Sequence, residues 1–316
     1  MQKLFINSKN ESVTMSGLFD EFIRFKKIIN SSNETIKYYN NCFRYFSDFM
    51  ACDLSCREMN KNTFYDYVEY LQTKKLSDCT INSYLRGLRA IIYYGIELGY
   101  IPKFEVKLIK AQKKIKETYT DEELKLLLKK PDLKKCDFTE YRNWVIINYL
   151  LGTGNRLATM VNVKIEDVDL NNYALLLKTT KNRQQQVIPI SSTLANVLKE
   201  YLLYRKGEPD DYLFCNRYGK QLHKSGVENV VGKYNRTRGV NKTSIHLFRH
   251  TFAKKWILNG GDIFRLQKIL GHSGIEVVKE YVNMFNADLH KQFDNFNPLD
   301  TFVKENGTGE RIKMQK

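Results

Sequence analysis

The sequence predicts a mostly α-helical protein of two domains, the second of which contains a small β-hairpin. Apolar residues recur with the helical period of about 3.6 residues through the first hundred residues and again beyond residue 119. A lysine-rich stretch separates these two regions, and only residues 173–190 contain the short apolar runs that are typical of β-strands. The chain has 316 residues, which is about the length of two domains.

Four amphipathic segments form the first predicted domain, residues 1–105. Their helices are expected to begin near residues 16, 33, 64 and 77. On the fourth helix, the helical period places the apolar residues inward and three polar residues outward, namely Asn82, Arg86 and Arg89.

A basic linker, residues 106–118, is expected between the two domains. Six lysines fall within residues 102–118, and few acidic residues balance them. This stretch either lies along the phosphates of a nucleic acid or is a solvated connector.

The second predicted domain, residues 119–300, begins with a helix-capping box formed by Thr120 and Glu123. Residues 173–178 and 186–190 are expected to pair as a β-hairpin with a polar, basic tip. Further helical patterns occur at residues 141–151, 194–204, 227–234, 248–258 and 261–270. Residues 301–316 are polar and are expected to form a flexible tail.

The formal net charge of +16 favours an anionic partner, and nucleic acid is a better candidate than an acidic membrane surface. A basic protein without such a partner is the alternative.

No apolar stretch reaches the ~18 residues needed to cross a membrane, and the first residues turn polar too early for a secretory signal. The six cysteines show no Cys-x-x-Cys spacing, which argues against zinc. We therefore expect a soluble, cytoplasmic protein with reduced thiols.

Several residues that could act on a phosphate lie close together near the end of the second domain. His246 and Arg249 are three residues apart on a predicted helix, so their side chains share one side. A Leu-Gly pair before His272 is expected to end the preceding helix, and Tyr281 follows nine residues later.

Two more cationic residues lie upstream. The segment Gly-Thr-Gly-Asn-Arg ends at Arg156 and is expected to place this arginine at the start of a helix, after glycines that allow a tight turn. Lys181 lies at the tip of the predicted hairpin, where its long side chain can reach a leaving oxygen.

These residue types suit attack on a phosphodiester. Arginine binds the non-bridging oxygens of a phosphate bidentately, and histidine or lysine can donate a proton. A tyrosine hydroxyl can be the nucleophile, although its ordinary pKa of about 10 requires a neighbouring cationic or basic group. Taken singly, each of these residues would more often be an ordinary surface or packing residue, so the combination and its spacing carry the inference.

The sequence resembles the tyrosine recombinase (phage integrase) family, particularly its compact, Xer-like members. Six residues carry this resemblance: Arg156, Lys181, His246, Arg249, His272 and Tyr281. The resemblance covers about residues 14–290. It implies that residues 1–105 are a helical core-binding (SAM-like) domain that binds DNA, and that residues 119–300 are a largely helical catalytic domain with a C-terminal tail helix.

In the reaction that the resemblance implies, Tyr281 attacks a DNA phosphodiester and forms a 3′-phosphotyrosyl intermediate with a free 5′-hydroxyl. Lys181 protonates the departing 5′ oxygen, and His246 assists proton transfer. The other three residues hold the transition-state oxygens: Arg156, Arg249 and His272. Strand exchange and religation need neither metal nor ATP, because the covalent intermediate stores the bond energy, and no cofactor is expected.

The resemblance also implies its partners. These are double-stranded DNA, at a specific site built as an inverted repeat, and three further copies of the chain in a homotetramer on two DNA sites, joined through the C-terminal tail. Six residues on the second and fourth helices are expected to be exposed and are candidates for DNA contacts: Lys37, Asn41, Arg44, Asn82, Arg86 and Arg89.

One position departs from the family pattern. Three residues after the first arginine the family usually carries Glu or Asp, whereas this chain has Thr159. Threonine can form hydrogen bonds but cannot offset positive charge. Glu166 or Asp167 is the candidate source of the missing carboxylate.

Three other functions fit part of the sequence. A basic DNA-binding or architectural protein without catalysis would explain the charge but not the spacing of the six residues. Metal-dependent strand transfer would need carboxylates, but those present lie at a helix start or just before the hairpin. A relaxing topoisomerase would use the same tyrosine chemistry without exchange between paired sites.

Overall fold

The computed structural model describes residues 13–50, 52–111, 117–178, 185–271 and residue 274. The chain consists of two compact units, residues 1–114 and residues 115–316. None of the described helices is both long and apolar enough to cross a membrane.

The first unit contains four helices. They are α1 (Met15–Ile28), α2 (Asn33–Phe49), α3 (Lys61–Thr73) and α4 (Asp78–Glu97). Each helix begins after a polar residue whose side chain accepts a hydrogen bond from a backbone N–H of the first turn. These N-cap residues are Thr14, Ser32, Asn60 and Ser77. The four predicted helices are confirmed.

Aromatic side chains dominate the core of the first unit. Phe22, Phe46, Phe64 and Tyr67 are almost completely buried between the helices. Helix α2 packs tightly against α4 at Gly87, where an added Cβ would lie 2.4 Å from the sulfur of Cys42. Only glycine allows the two helices to approach this closely.

The stretch that follows α4 has no regular secondary structure in residues 101–111, yet it packs on the same core. Ile101 and Val106 are buried, and Leu108 and Ile109 contact the core as partly buried residues. The first residues of the lysine-rich stretch are therefore held against the first unit by their apolar side chains, while the lysines that alternate with them face solvent.

The second unit is built mainly of helices. They are α5 (Asp121–Leu128), α6 (Phe138–Thr153), α7 (Leu157–Met160), α8 (Ser192–Arg205), α9 (Lys224–Thr237), α10 (His246–Leu258) and α11 (Ile263–Leu270). The predicted capping box is present at the start of α5, where Thr120 and Glu123 exchange side-chain-to-backbone hydrogen bonds. Helix α6 is buried along almost its whole length and contacts α5, α8, α9 and α10, so it forms the centre of this unit.

A small antiparallel sheet lies beside these helices. Its strands are β1 (Val168–Asp169), β2 (Ala174–Leu177) and β3 (Gln186–Pro189), in the spatial order β1-β2-β3. In the β2–β3 pair Leu177 lies opposite Gln186, and Leu175, Leu177 and Ile188 are buried in the core. The mostly helical fold with one small hairpin is confirmed, and β1 is an additional strand too short to produce a sequence pattern.

Candidate active site

Arg156 is positioned by a tight turn at the end of α6. Gly154 ends that helix in the left-handed conformation, with φ 62°. An added Cβ at Gly154 would lie 2.5 Å from Cδ1 of Phe252 and 2.8 Å from Cδ2 of Leu270. A larger residue would therefore clash with these side chains and would also be strained in the left-handed conformation. Arg156 then serves as the N-cap residue of α7, as the Gly-x-Gly pattern predicted.

Buried hydrogen bonds hold the same turn from within. The hydroxyl of Thr153 donates to Tyr149 O at 2.7 Å, and Asn155 Nδ2 donates to the Tyr149 hydroxyl at 2.8 Å. The backbone N–H of Asn155 donates to the Thr153 hydroxyl at 3.2 Å. Burial raises the pKa of Tyr149, so this hydroxyl is a neutral structural group. The residue before Arg156 is therefore fixed on both its backbone and its side chain.

Arg249 lies on α10 and is only 6% exposed. Its guanidinium group donates from Nη1 to Gly154 O and from Nη2 to Leu270 O, each at 2.8 Å. Arg249 thus joins the end of α6 to the end of α11. His246, three residues earlier, begins α10 and is exposed.

Arg156 and Arg249 meet at one oxygen. Arg156 Nη1 donates to Leu270 O at 3.4 Å and to Gly271 O at 3.5 Å, so Leu270 O accepts from both arginines. The last carbonyls of a helix have no partner within the helix and carry its negative dipole end, which suits them to two guanidinium groups. The structure therefore brings together two of the six predicted catalytic residues around the C-terminus of α11.

The predicted helix break before His272 is present. Helix α11 ends at Gly271, which has φ 62°, and an added Cβ there would lie 3.1 Å from Oε1 of Gln186. Gly271 therefore provides both the left-handed conformation and the room that the end of this helix needs. The other three predicted catalytic residues, Lys181, His272 and Tyr281, lie outside the described residues.

Gln186 is a neighbour of this site that the sequence did not reveal. From the first position of β3 its Nε2 donates to Lys268 O and, at 3.4 Å, to Ile269 O. The contact joins residues that are far apart in the chain, and a glutamine next to a polar hairpin tip gives no periodic or motif signal.

The two carboxylates that were candidates to replace the acidic residue at Thr159 have another partner. Glu166 Oε1 and Asp167 Oδ1 lie 2.6 Å and 2.8 Å from Nζ of Lys178. The hydrogen bond from Lys178 lowers the pKa of Glu166. These carboxylates therefore neutralise Lys178 at the end of β2, and Thr159 is a buried residue whose backbone N–H donates to Arg156 O at 2.9 Å.

A cavity of about 530 Å³ opens beside His246. Glu228, Asn229 and Arg236 of α9 line one side of it, and residues 243–246 line the other.

In the described part of the chain, no group of three or more histidine, cysteine, aspartate or glutamate side chains is placed to hold a metal ion.

The candidate DNA contacts of the first unit are divided by exposure. On α2 and α4 the exposed candidates are Lys37, Asn41, Arg44 and Arg86, and Arg89 is half-buried. Asn82 is only 4% exposed: its Nδ2 donates to Ile109 O at 2.9 Å, and its Oδ1 accepts from the Ile109 N–H at 3.1 Å. The expectation that Asn82 faces outward is wrong, because the chain that follows α4 folds back over it.

Two family models together match most of the chain. Residues 117–287 match the model described as phage integrase family, and residues 14–115 match the phage integrase SAM-like domain. The tyrosine recombinase XerD of Staphylococcus epidermidis is 25% identical over 303 residues, covering 90% of this chain and 99% of the relative. The tyrosine recombinase XerC of Staphylococcus aureus is 28% identical over 310 residues, covering 93% of this chain and all of the relative.

Solved structures share the fold at low sequence identity. The Tn1549 transposon integrase in complex with transposon right end DNA has a TM-score of 0.73 at 20% identity, covering 88% of this chain and 98% of the other. XerH recombinase bound to palindromic difH substrate has a TM-score of 0.69 at 22% identity, covering 87% and 83%. A lambda integrase tetramer bound to a Holliday junction has a TM-score of 0.67 at 16% identity, covering 85% and 80%.

The family models and the relatives named tyrosine recombinase define the class of this protein. The chain belongs to the phage integrase family, the family of tyrosine recombinases. A basic DNA-binding protein without catalysis, the alternative reading of the charge, is not favoured by these matches.

Proposed function

We propose that this recombinase exchanges DNA strands at specific sites and that Tyr281 is its nucleophile. The observation that carries the proposal is the acceptor shared by Arg156 and Arg249, Leu270 O, which lies two residues before His272 in the sequence. Two guanidinium groups held at one point suit the two non-bridging oxygens of a phosphodiester. Tyr281 follows in the same stretch of chain.

The proposed cleavage step has one bond formed and one broken. The Tyr281 oxygen attacks the phosphorus, and the bond from phosphorus to the 5′ oxygen breaks. Lys181 gives its proton to the departing 5′ oxygen, and His246 assists removal of the tyrosine proton. The product is a 3′-phosphotyrosine and a free 5′-hydroxyl, and attack by the 5′-hydroxyl of a second strand reverses the step and releases the tyrosine.

The arginines stabilise charge that develops during this step. As phosphorus becomes five-coordinate, its non-bridging oxygens gain negative charge, and Arg156, Arg249 and His272 are the proposed donors to them. Arg249 is buried and held by two carbonyls, so its guanidinium is oriented before the substrate arrives. Loss of one such preorganised donor costs about 2.7 to 4 kcal/mol in the barrier of an enzyme reaction.

The proposed assembly is a homotetramer on two DNA sites, each an inverted repeat, joined through the C-terminal tail. Two similar structures support this: XerH is bound to a palindromic substrate, and lambda integrase forms a tetramer on a Holliday junction. The first domain, which we propose to be residues 1–105, would bind DNA through side chains on α2 and α4. The proposed contacts are Lys37, Asn41, Arg44, Arg86 and Arg89.

We place the linker at residues 106–118, the catalytic domain at residues 119–300 and the flexible tail at residues 301–316. We propose that the protein works in the cytoplasm, because the proposed substrate is double-stranded DNA and the named relatives come from bacteria, whose DNA lies in the cytoplasm. No cofactor is part of the proposed reaction.

A nicked suicide duplex tests the proposal. The duplex is made from a genomic segment that the purified protein protects in a footprint, and the nick lets the 5′-hydroxyl fragment diffuse away. We expect the wild-type chain to accumulate a covalent adduct that survives denaturation, with equal yield in EDTA. The Tyr281→Phe variant should form none.

Tyr218→Phe is the matched control, because Tyr218 is 70% exposed and lies far from the paired arginines in sequence. It should form the adduct at the wild-type rate. Absence of an adduct with the wild-type chain, or an undiminished adduct with Tyr281→Phe, would overturn the proposal.

A further inference from the structure

The last three carbonyls of α11 and the carbonyl of its C-cap residue, Gly271, accept hydrogen bonds from three side chains. Gln186 donates to Lys268 O and Ile269 O, Arg249 donates to Leu270 O, and Arg156 donates to Leu270 O and Gly271 O. These side chains come from β3, from α10 and from the start of α7. The end of one short helix is therefore the point at which three elements of the second unit are joined.

Gln186 is the uncharged member of this group, and its own backbone is well anchored. It pairs with Leu177 across the β2–β3 ladder, and the next inward-facing residue of its strand, Ile188, is completely buried. Lys178, directly after Leu177, is held by its ion pairs with Glu166 and Asp167. The amide of Gln186 therefore reaches α11 from a strand that is fixed to the core.

The contact is also close. Oε1 of Gln186 lies 3.1 Å from the position that a Cβ would take at Gly271, and Nη1 of Arg156 lies 3.9 Å from the same position. The side-chain amide and the guanidinium therefore both lie next to the same glycine. A shift of the last turn of α11 would move the acceptor that both arginines share.

We propose that Gln186 is a positioning residue for the arginine pair. It holds the last turn of α11 in place, and through Leu270 O it fixes the orientation of the Arg156 and Arg249 guanidinium groups. Gln186 itself does not contact the reacting atoms. This role rests on the proposed function, in which the two guanidinium groups bind the non-bridging oxygens of the phosphodiester.

Gln186→Met tests the role because methionine keeps the length of the side chain and removes the N–H donors. Gln185→Met is the matched control, since Gln185 is the exposed neighbour in the sequence. Cleavage of the nicked duplex is measured in single turnover with an ordinary phosphate at the cleavage position. Loss of the two hydrogen bonds should slow Gln186→Met about tenfold, and Gln185→Met should match the wild-type chain.

A second substrate separates positioning of the arginines from a general loss of structure. It carries a methylphosphonate at the cleavage position, with the two diastereomers assayed separately. A methyl group in place of one non-bridging oxygen lowers the negative charge of the transition state by one and leaves one oxygen for the arginines to bind, so the reaction depends less on their direction. The defect of Gln186→Met should shrink to less than about twofold on this substrate, and Arg249→Ala should show the same selectivity.

Two results would overturn the inference: an equal defect of Gln186→Met on both linkages, or no defect on the ordinary phosphate. Either can occur while the wild-type chain forms its adduct and Tyr281→Phe does not, in which case the proposed function stands and only the role of Gln186 falls. Failure of the wild-type chain to form an adduct overturns the proposed function and the inference together.

Discussion

Arg156 and Arg249, which are far apart in the sequence, donate to the same atom, the carbonyl oxygen of Leu270, at 3.4 Å and 2.8 Å. Two like charges held side by side repel each other. The carbonyl groups at the end of α11 offset this repulsion, because the C-terminus of a helix carries partial negative charge. The arrangement therefore concentrates positive charge at the C-terminus of α11.

Removing either arginine should therefore affect chemistry more than binding. We expect Arg249→Ala and Arg156→Ala to slow adduct formation about 10²- to 10³-fold in single turnover. Arg249→Lys should recover little of the loss, because a lysine cannot donate to two carbonyls in the fork geometry of a guanidinium. Arg217→Ala, at an exposed arginine beside Tyr218, is the control and should cleave normally. A loss below about tenfold in Arg249→Ala would contradict the role of the pair.

The turn before Arg156 should be sensitive to any side chain at Gly154. Alanine there meets a left-handed backbone, at a cost of about 1–2 kcal/mol, and overlaps Phe252 and Leu270, at a further cost of about 1–3 kcal/mol. Gly219→Ala isolates the backbone cost, because Gly219 has φ 77° and no atom within 4 Å of an added Cβ. Scanning calorimetry should show the larger fall in melting temperature for Gly154→Ala. Equal falls would show that the space around Gly154 is unimportant.

Asn82 and Arg86, which are one helical turn apart on α4, should behave differently when replaced by alanine. Asn82→Ala leaves the backbone N–H and C=O of Ile109 without their partner, so urea unfolding should show a loss of about 1–3 kcal/mol in stability. Arg86→Ala should leave stability within about 0.5 kcal/mol. It should instead weaken DNA binding and reduce the slope of log affinity against log salt by about 0.9. The reverse assignment of the two effects would refute this division of roles.

The ion pairs of Lys178 give a pH dependence of stability whose sign can be worked out. Hydrogen bonds to Asp167 and Glu166 raise the pKa of Lys178, and the hydrogen bond from Lys178 lowers the pKa of Glu166. A lowered carboxyl pKa contributes stability that is present above the ordinary value of about 4.3 and is lost as the pH falls through the lowered value. A raised lysine pKa contributes stability that is present below about 10.4 and is lost as the pH rises through the raised value.

We therefore expect Lys178→Met to lower the urea midpoint most between about pH 5 and pH 10. The difference from the wild-type chain should shrink in acid, as Glu166 becomes protonated in both folded proteins. Lys199→Met, at an exposed lysine of α8, serves as the control and should show no such profile. A difference that is constant from acid to neutral pH would contradict the assigned ion pairs.

Local signals made most of the fold predictable. Ser32, Ser77 and Thr120 each lie before an amphipathic segment, and each caps a helix in the structure. Caps and the helical period act within one or two turns of chain, so a single sequence contains them in full. The glycines at 154 and 271 likewise end their helices, because their left-handed conformation is a local property.

Contacts between distant segments were not predictable. The helical period assigns Asn82 to the polar face of α4 but does not reveal that residue 109 returns to cover it. Gln186 and the end of α11 meet only because the hairpin packs beside that helix, and no spacing in the sequence records this. The sequence shows that Glu166 and Asp167 lie within about a dozen residues of Arg156, but it does not reveal that both carboxylates form ion pairs with Lys178.

Peptide mapping of the trapped adduct tests the role of Tyr281 most directly. The wild-type chain is allowed to react with the nicked duplex, the adduct is digested with nuclease and trypsin, and the peptide that carries a residual 3′-linked nucleotide is sequenced by mass spectrometry. We expect the nucleotide on the phenolic oxygen of Tyr281. A nucleotide on any other side chain, or an adduct that lacks a phosphotyrosyl bond, would contradict the proposed mechanism.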